Sequence, residues 1–517
     1  MMPQLTRTLT DTVGSSADNA DNADNRLNHQ PSPDRTPNSG PNLPTADNAD
    51  NADNPSLTKG KEEREGNPAE SQSRRLIELA SGVELFHSPD QKPYAHLRIN
   101  AHHETYALDG HAFSLYLKKL YYDKFRGAPG DYAVKEAIGV LTAAAIFDGT
   151  TRPVSLRTAE HEGAFYVDLA DAEWRAVVIT ERGWQVVATG APRFWRTPHT
   201  APLPIPAPGG SLADLRPFLN LAREDDFVLV VGFLLAALCP RGPYPILELY
   251  GDHGTAKSTA TRIIRSLVDP NKSPLQGAPT NARDLMISAY NHWCPAFDNV
   301  SSIPPWLSDA LCRLSTGGGF GARQLYSDAD EFAFDAQRPV IINGIATGAT
   351  RGDLLDRTVS IELVPIPDTS RRTERDLWYD FNLQYPRILG ALLGALVVAR
   401  RNLPTTKLVA SPRMADFAHL LAAAAPALGV SPEQAVAALT ANRQETAGRA
   451  IEADVVGSLI CALMIDRRQW SGTASDLLVE LRRFGVPAGA RLPPTPNALG
   501  GQVRRLAPDL RRTAGLR

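Results

Sequence analysis

Residues 245–259 read PILELYGDHGTAKST, and this stretch constrains the fold more than any other. PILELY is a compact apolar run of strand length, and it leads directly into Gly251 and Gly254. After Lys257, the segment STATRIIRSLVD places Ile263, Ile264 and Leu267 at helical spacing. The expected local structure is strand, glycine loop, helix. An anion-binding loop requires this context, because loop amides and a helix N-terminus then converge on one point. The glycines let the backbone turn and approach a phosphate chain. Lys257 would reach the β and γ phosphates, Ser258 would hold Mg²⁺, and Thr259 would sit behind it. The pattern GxxxxGK[ST] is one residue short, because Ala256 stands where a glycine would precede the lysine. Its single methyl is expected to be tolerated at the helix start with a negative φ. The candidate nucleotide-binding set is Gly251, Asp252, His253, Gly254, Thr255, Ala256, Lys257, Ser258 and Thr259, with ATP and Mg²⁺ as the implied cofactors.

Three later segments extend the pattern. CPAFDNV (294–300) is an apolar strand ending in Asp298, where a second Mg²⁺ ligand belongs, with Asn299 next to it. RPVIINGI (338–345) carries Asn343 at a buried strand tip, where it can orient an attacking water. DLLDRTVSIEL (353–363) puts Arg357 just before another strand, a suitable place for a cation acting on a neighbouring subunit's nucleotide, with Arg351 as the second choice. Alternation of apolar runs and helical segments from about 211 to 405 argues for a mostly parallel sheet with helices on its faces.

Residues 245–364 resemble the ATPase core of the superfamily 3 helicases, in the branch found in phage and poxvirus primase-helicases. The stretches that carry the resemblance are GDHGTAKST, AFDNV, TGGGFGARQLYSDADEFAFDAQRPVIINGI and RGDLLDRTVSIEL. In that family a Gly-rich turn, an arginine and an aromatic-basic hairpin precede the strand ending in Asn. Here these correspond to Gly317–Gly319, Arg323 and Tyr326. Residues 75–510 also resemble uncharacterised ATP-binding proteins of bacterial mobile elements. The resemblance implies an α/β P-loop NTPase core of the AAA+ type, acting as a helicase-like replication factor on single-stranded or forked DNA. It implies Lys257, Asp298, Asn299, Asn343 and Arg357 as the catalytic set, Ser258 and Asp298 on the metal, and Arg323 and Tyr326 on DNA. It also implies a homo-oligomeric ring such as a hexamer, because an arginine acting in trans needs a neighbour.

Two departures keep other readings open. The family has an acid beside the metal-binding aspartate, whereas this chain has Asn299, and an amide cannot accept a proton from water. Arg323 also lies close to Asp328, Asp330 and Glu331, which weakens a phosphate-tracking hairpin. An ATP-gated DNA-binding switch with little hydrolysis is the second reading. A DNA-binding scaffold with a relic loop is the third, and Ala256 is its support.

The flanks are less informative. Residues 1–72 repeat ADNADNADN at 17–25 and 46–54, with few apolar residues, and are expected to be a disordered tail. Residues 73–200 read as an α+β domain of unknown role. It has a strand at 94–99, one helix over 113–122, and a β-meander through 164–170, 174–179 and 183–188. His102 and His103 lack a matching ligand set there. A Pro-rich connection at 193–210 separates this domain from the ATPase domain, 211–405. The last domain, 411–517, is helical and finally basic. From Arg482 onward eight arginines face one acid, Asp509, a net of +7, although the whole chain carries −3. Helices over 473–484 and 497–506 resemble a winged-helix module with Arg504 and Arg505 on the recognition helix, contacting DNA through phosphates. Four scattered cysteines fit a reducing compartment. The longest apolar run, Phe227–Leu238, is too short to span a bilayer, so a cytoplasmic protein without membrane partners is expected.

Overall fold

The computed structural model describes residues 8–9, 71–188, 192–323, 331–345, 351–409, 412–486 and 491–516, with only the backbone of 8–9, 319–323 and 331–335. The low-complexity segment 1–72 lies outside these residues, except for Thr8–Leu9, which pairs in parallel with Gln469–Trp470, and for Ser71 and Gln72, the cap and first residue of the helix Gln72–Leu79.

Residues 71–188 form two small sheets and three helices. Strands Glu84–His87, Pro93–Ile99 and His102–Ala107 pair antiparallel. The expected meander is present as Thr158–His161, Ala164–Asp168, Arg175–Ile179 and Trp184–Ala188, all antiparallel. The sequence suggested one helix here. Besides His111–Phe125, the structure adds Gln72–Leu79 and Asp131–Phe147. The third is held by an apolar stripe at helical spacing, with Val134, Ala137, Leu141 and Ala145 buried.

The central region begins with α1 (Glu224–Leu238), whose residues from Asp226 to Leu238 are all buried, which accounts for the long apolar run. Next come β1 (Ile246–Tyr250), α2 (Lys257–Ser266), α3 (Ala282–Asn291), β2 (Ala296–Phe297) and α4 (Pro305–Thr316). A hairpin, Gly319–Arg323 with Glu331–Asp335, precedes β3 (Val340–Gly344), α5 (Gly352–Leu355) and β4 (Thr358–Glu362). The strands form one parallel sheet in the order β2-β3-β1-β4. Both interior strands are buried at every position, as expected for a sheet covered on both faces. Three helices follow: α6 (Glu374–Asn402), α7 (Ala415–Leu428) and α8 (Pro432–Ala453). The 29-residue α6 is long and apolar enough to cross a bilayer, and it places Ile388, Leu389, Leu392, Leu393 and Leu396 in the main core.

The C-terminal helices α9 (Val455–Met464), α10 (Ala474–Arg483) and α11 (Pro496–Thr513) surround a separate core that includes Leu459, Leu477, Leu481, Leu499 and Leu506. The helix expected over 497–506 is longer at both ends. Thr495 caps it by accepting from the Ala498 amide, and it continues through Pro508 to Thr513.

Candidate nucleotide site

The site is built at the carboxyl end of β1. Gly251 has φ 150°, and a Cβ there would lie 2.4 Å from the Leu363 carbonyl oxygen, so only glycine fits. Gly254 is also left-handed, at φ 80°. Thr255 is fully buried, and its hydroxyl donates to the Asp252 carbonyl at 3.0 Å, closing the loop on itself. Ala256 departs from the expectation of a negative φ: it sits at φ 60°, ψ 31°, in the left-handed region. The chain must reverse there to enter α2, and the glycine of the full pattern would do so without a Cβ clash.

The Ala260 amide donates to the Ala256 carbonyl at 2.9 Å and closes the first turn of α2. The amides of Lys257, Ser258 and Thr259 therefore have no partner within the helix, and they point along the positive end of its dipole. Lys257 Nζ donates to the carbonyls of Gly251 at 2.8 Å and Asp252 at 2.7 Å. Partial burial lowers its pKa from the ordinary lysine value, against the pull of Asp252 and Asp298. Its ammonium thus spans the mouth of the loop, where an anion would enter.

Ser258 Oγ donates to Asp298 Oδ1 at 2.7 Å, joining α2 to the end of β2 across 40 residues. Asp298 is positioned by its own amide, which donates to the Gln276 carbonyl at 2.8 Å. The next residue, Asn299, has φ 55°, and its amide donates to Asn343 Oδ1 at 3.0 Å. Asn343 Nδ2 donates to Thr261 Oγ1 at 2.9 Å. The sequence suggested an attacking water as the partner of Asn343. In the structure it is 1% exposed and both ends of its carboxamide are held by protein groups, whereas Asn299 is exposed. The strand tip faces α2, so the amide pins the Asn299 turn against that helix. Thr261 and Gln276 carry this arrangement and were not expected to. Thr261 is legible as a hydroxyl one turn after Lys257, while Gln276 depends on a loop passing beside β2, which no local pattern reveals.

Register explains the clustering. Tyr250 pairs with Gly344 and Phe297 with Ile342, so Gly251, Asp298 and Asn343 all lie at the carboxyl edge, where open α/β sheets bind ligands. Arg357 lies at the other edge, because Thr358 pairs with Ile246, four strand steps or about 13 Å from Tyr250. Its Nη1 donates to the Asp353 carbonyl at 2.6 Å. Arg351 is paired with Asp309 at 3.1 Å. Neither arginine is brought to the loop of its own chain.

The Ser258 hydroxyl and Asp298 carboxylate are adjacent, partly exposed, hard oxygen donors. They fit Mg²⁺, which takes one or two protein oxygens and fills its other positions with water and phosphate. Among the described residues no three His, Cys, Asp or Glu side chains converge, and His102 is bound to Glu104 at 2.8 Å. Of the residues expected on DNA, Arg323 pairs through its backbone with Glu331, and Tyr326 lies outside the described residues. Arg504 and Arg505 are exposed on α11.

Residues 212–445 match the family of the actinomycete integrative conjugative element replication protein. Residues 456–515 match the C-terminal domain of the RepA of these elements. No curated protein matches significantly. Among solved structures, the apo C-terminal region of NrS-1 is similar at 12% identity and TM-score 0.37, covering 78% of this chain and 85% of that one. The SCCmec type IV Cch active helicase is similar at 10% identity and TM-score 0.45, covering 81% and 89%. The two family matches follow one another along the chain, over the parallel-sheet region and the basic C-terminal helices, so both segments are similar to the replication protein RepA of actinomycete integrative conjugative elements.

Proposed function

We propose that this chain is an ATP-binding and ATP-hydrolysing, helicase-like replication protein that acts on single-stranded or forked DNA in the cytoplasm. The observation that carries the reading is the contact of Ser258 with Asp298 beside the loop Gly251–Lys257. It unites a phosphate cradle and a cation site in a P-loop, AAA+-like core. Lys257 leaves its two loop carbonyls and neutralises the terminal phosphates. The amides of residues 257–259 hold the phosphate oxygens, as helix N-termini do. Mg²⁺ held by Ser258 and Asp298 supplies charge neutralisation of the phosphates when bound. Asn343 keeps the Asn299 turn in register with α2, so that the carboxamide side chain of the exposed Asn299 is free to position an attacking water. Arg357 and, as second choice, Arg351 lie away from the loop of their own chain, which suits action on a neighbour's nucleotide in a closed ring. Arg323, Tyr326, Arg504 and Arg505 supply the DNA contacts, largely through phosphates. The superfamily 3 resemblance of residues 245–364 supports the same reading.

Asn299 favours a second reading, an ATP-gated DNA-binding switch, because an amide positions water but takes no proton. Steady-state ATP hydrolysis by the purified chain, with and without single-stranded DNA, separates the two. DNA-stimulated turnover that disappears in Lys257→Ala is the expected result. Tight Mg²⁺–ATP binding without turnover would select the switch, and unchanged ATP binding in Lys257→Ala would remove both.

A further inference from the structure

The segment after β4 approaches the loop at Gly254. A short turn, Asp368–Ser370, leads through Arg371 and Arg372 into Thr373, the N-cap of α6. Here α6 runs beside α2: Arg262 of α2 is ion-paired with Glu374, and the Tyr385 hydroxyl donates to the Ser266 carbonyl. This packing brings Arg371 to the loop tip. A Cβ placed on Gly254 would lie 3.3 Å from Arg371 Nη2, so the guanidinium covers the face that the glycine leaves open.

The neighbouring arginines are committed to α6: Arg372 to Asp380, Arg375 to Asp376 and Arg262 to Glu374. Arg371 differs. Its ion partner is Asp368, three residues earlier on the same turn, at 3.2 Å, with side-chain exposures of 59% and 92%. An ion pair so exposed contributes little and exchanges readily. The loop itself is electrically balanced, since residues 251–259 contain one lysine and one aspartate. A polyphosphate entering it meets only Lys257 as a protein cation from the loop, and a guanidinium is the side chain best shaped for phosphate oxygens.

We propose that Arg371 is a nucleotide-binding residue: a second cation, in addition to Lys257, that leaves Asp368 to bind the phosphate chain of a nucleoside triphosphate seated on Gly254. The inference rests on the nucleotide reading of the loop. It makes the turn Asp368–Arg371 one wall of the site, so nucleotide occupancy draws the start of α6 towards α2.

The test is calorimetric titration of the full chain with Mg²⁺–ATP, comparing the native protein with Arg371→Ala, Arg371→Lys, Asp368→Ala and Lys257→Ala. Arg371→Ala should weaken binding about tenfold to a hundredfold, the range for a charge-assisted hydrogen bond. Arg371→Lys should recover part of that loss, and Asp368→Ala should bind at least as tightly as native. Arg371 is exposed, so its variants should keep the native unfolding midpoint. Native affinity in Arg371→Ala alongside lost binding in Lys257→Ala overturns the role of Arg371 and leaves the nucleotide reading intact. Native affinity in both overturns the nucleotide reading, and this inference with it.

Discussion

Ala256 holds a left-handed backbone, at φ 60°, that costs an L residue about 1–2 kcal/mol. Glycine removes this strain but adds about 0.5–1 kcal/mol of unfolded-chain entropy. Ala256→Gly should therefore raise stability by up to about 1.5 kcal/mol, seen as a higher denaturant midpoint at unchanged slope. A clear drop in the midpoint would mean that the methyl is packed rather than strained. Asn299 occupies the same backbone region at φ 55°, which Asn and Asp both tolerate. Asn299→Asp should keep the turn and restore a proton acceptor, raising ATP turnover by about a hundredfold or more. Unchanged turnover in this variant would place the base elsewhere in the molecule.

Among elements, α2 is held at both ends. Its start is the loop, and its far end carries Arg265, whose Nη1 donates to the carbonyls of Ser273 at 3.0 Å and Pro274 at 2.7 Å. Beyond it, Asp269 accepts from the fully buried Arg157 of the N-terminal region at 3.2 Å. A second junction lies between α5 and β4. Asp356 accepts from Arg413 at 3.1 Å, Arg443 at 2.7 Å and Arg512 at 2.8 Å, tying β4 to α8 and α11. Burial raises the Asp356 pKa, but hydrogen bonds from Arg443 and Arg512 outweigh it and hold the carboxyl below its ordinary value. Its stabilisation is then complete above the unfolded pKa of about 4 and is lost as pH falls through the lower folded value. Asp356→Asn should cost about 3 kcal/mol at neutral pH, because it leaves the half-buried Arg443 without its counter-charge. Chemical denaturation measures this, and a loss well under 1 kcal/mol would show that solvent already screens the cluster.

For the whole molecule, two buried histidines set an acid limit. Burial lowers the pKa of His96 to about 3 and of His292 to about 4. Both folded values lie below the unfolded value of about 6.5, so the unfolded chain takes up protons first as pH falls. Stability should decline from about pH 6.5 towards pH 4, by up to about 1.4 kcal/mol per pH unit per histidine. Denaturation midpoints that stay level from pH 7 to 4.5 would contradict this. At this scale the sequence was informative where the signal is local. PILELY, the loop and α2 were legible because an apolar run, two glycines and a helical stripe lie within 25 residues. Asp131–Phe147 is also written locally, as an alanine-rich amphipathic stripe, beyond the one helix that the sequence suggested for this region. The site was partly legible: Gly251, Asp298 and Asn343 could be placed at strand ends, but not against one another.

The residues alone determined that a strand, a glycine loop and a helix would follow one another, and that polar side chains would close later apolar strands. These are properties of periodicity and of residues without, or with short, side chains, acting over one or two turns. Tertiary structure decided the strand order β2-β3-β1-β4, which sets Asp298 against Ser258 and sends Arg357 to the opposite edge. It also decided that Asn343 binds the backbone of Asn299, and that Arg371 lies over Gly254. Each of these contacts joins residues more than 40 positions apart in the sequence or depends on which strand pairs with which. Strand pairing is selected by the burial of whole faces in a common core, which no single segment encodes.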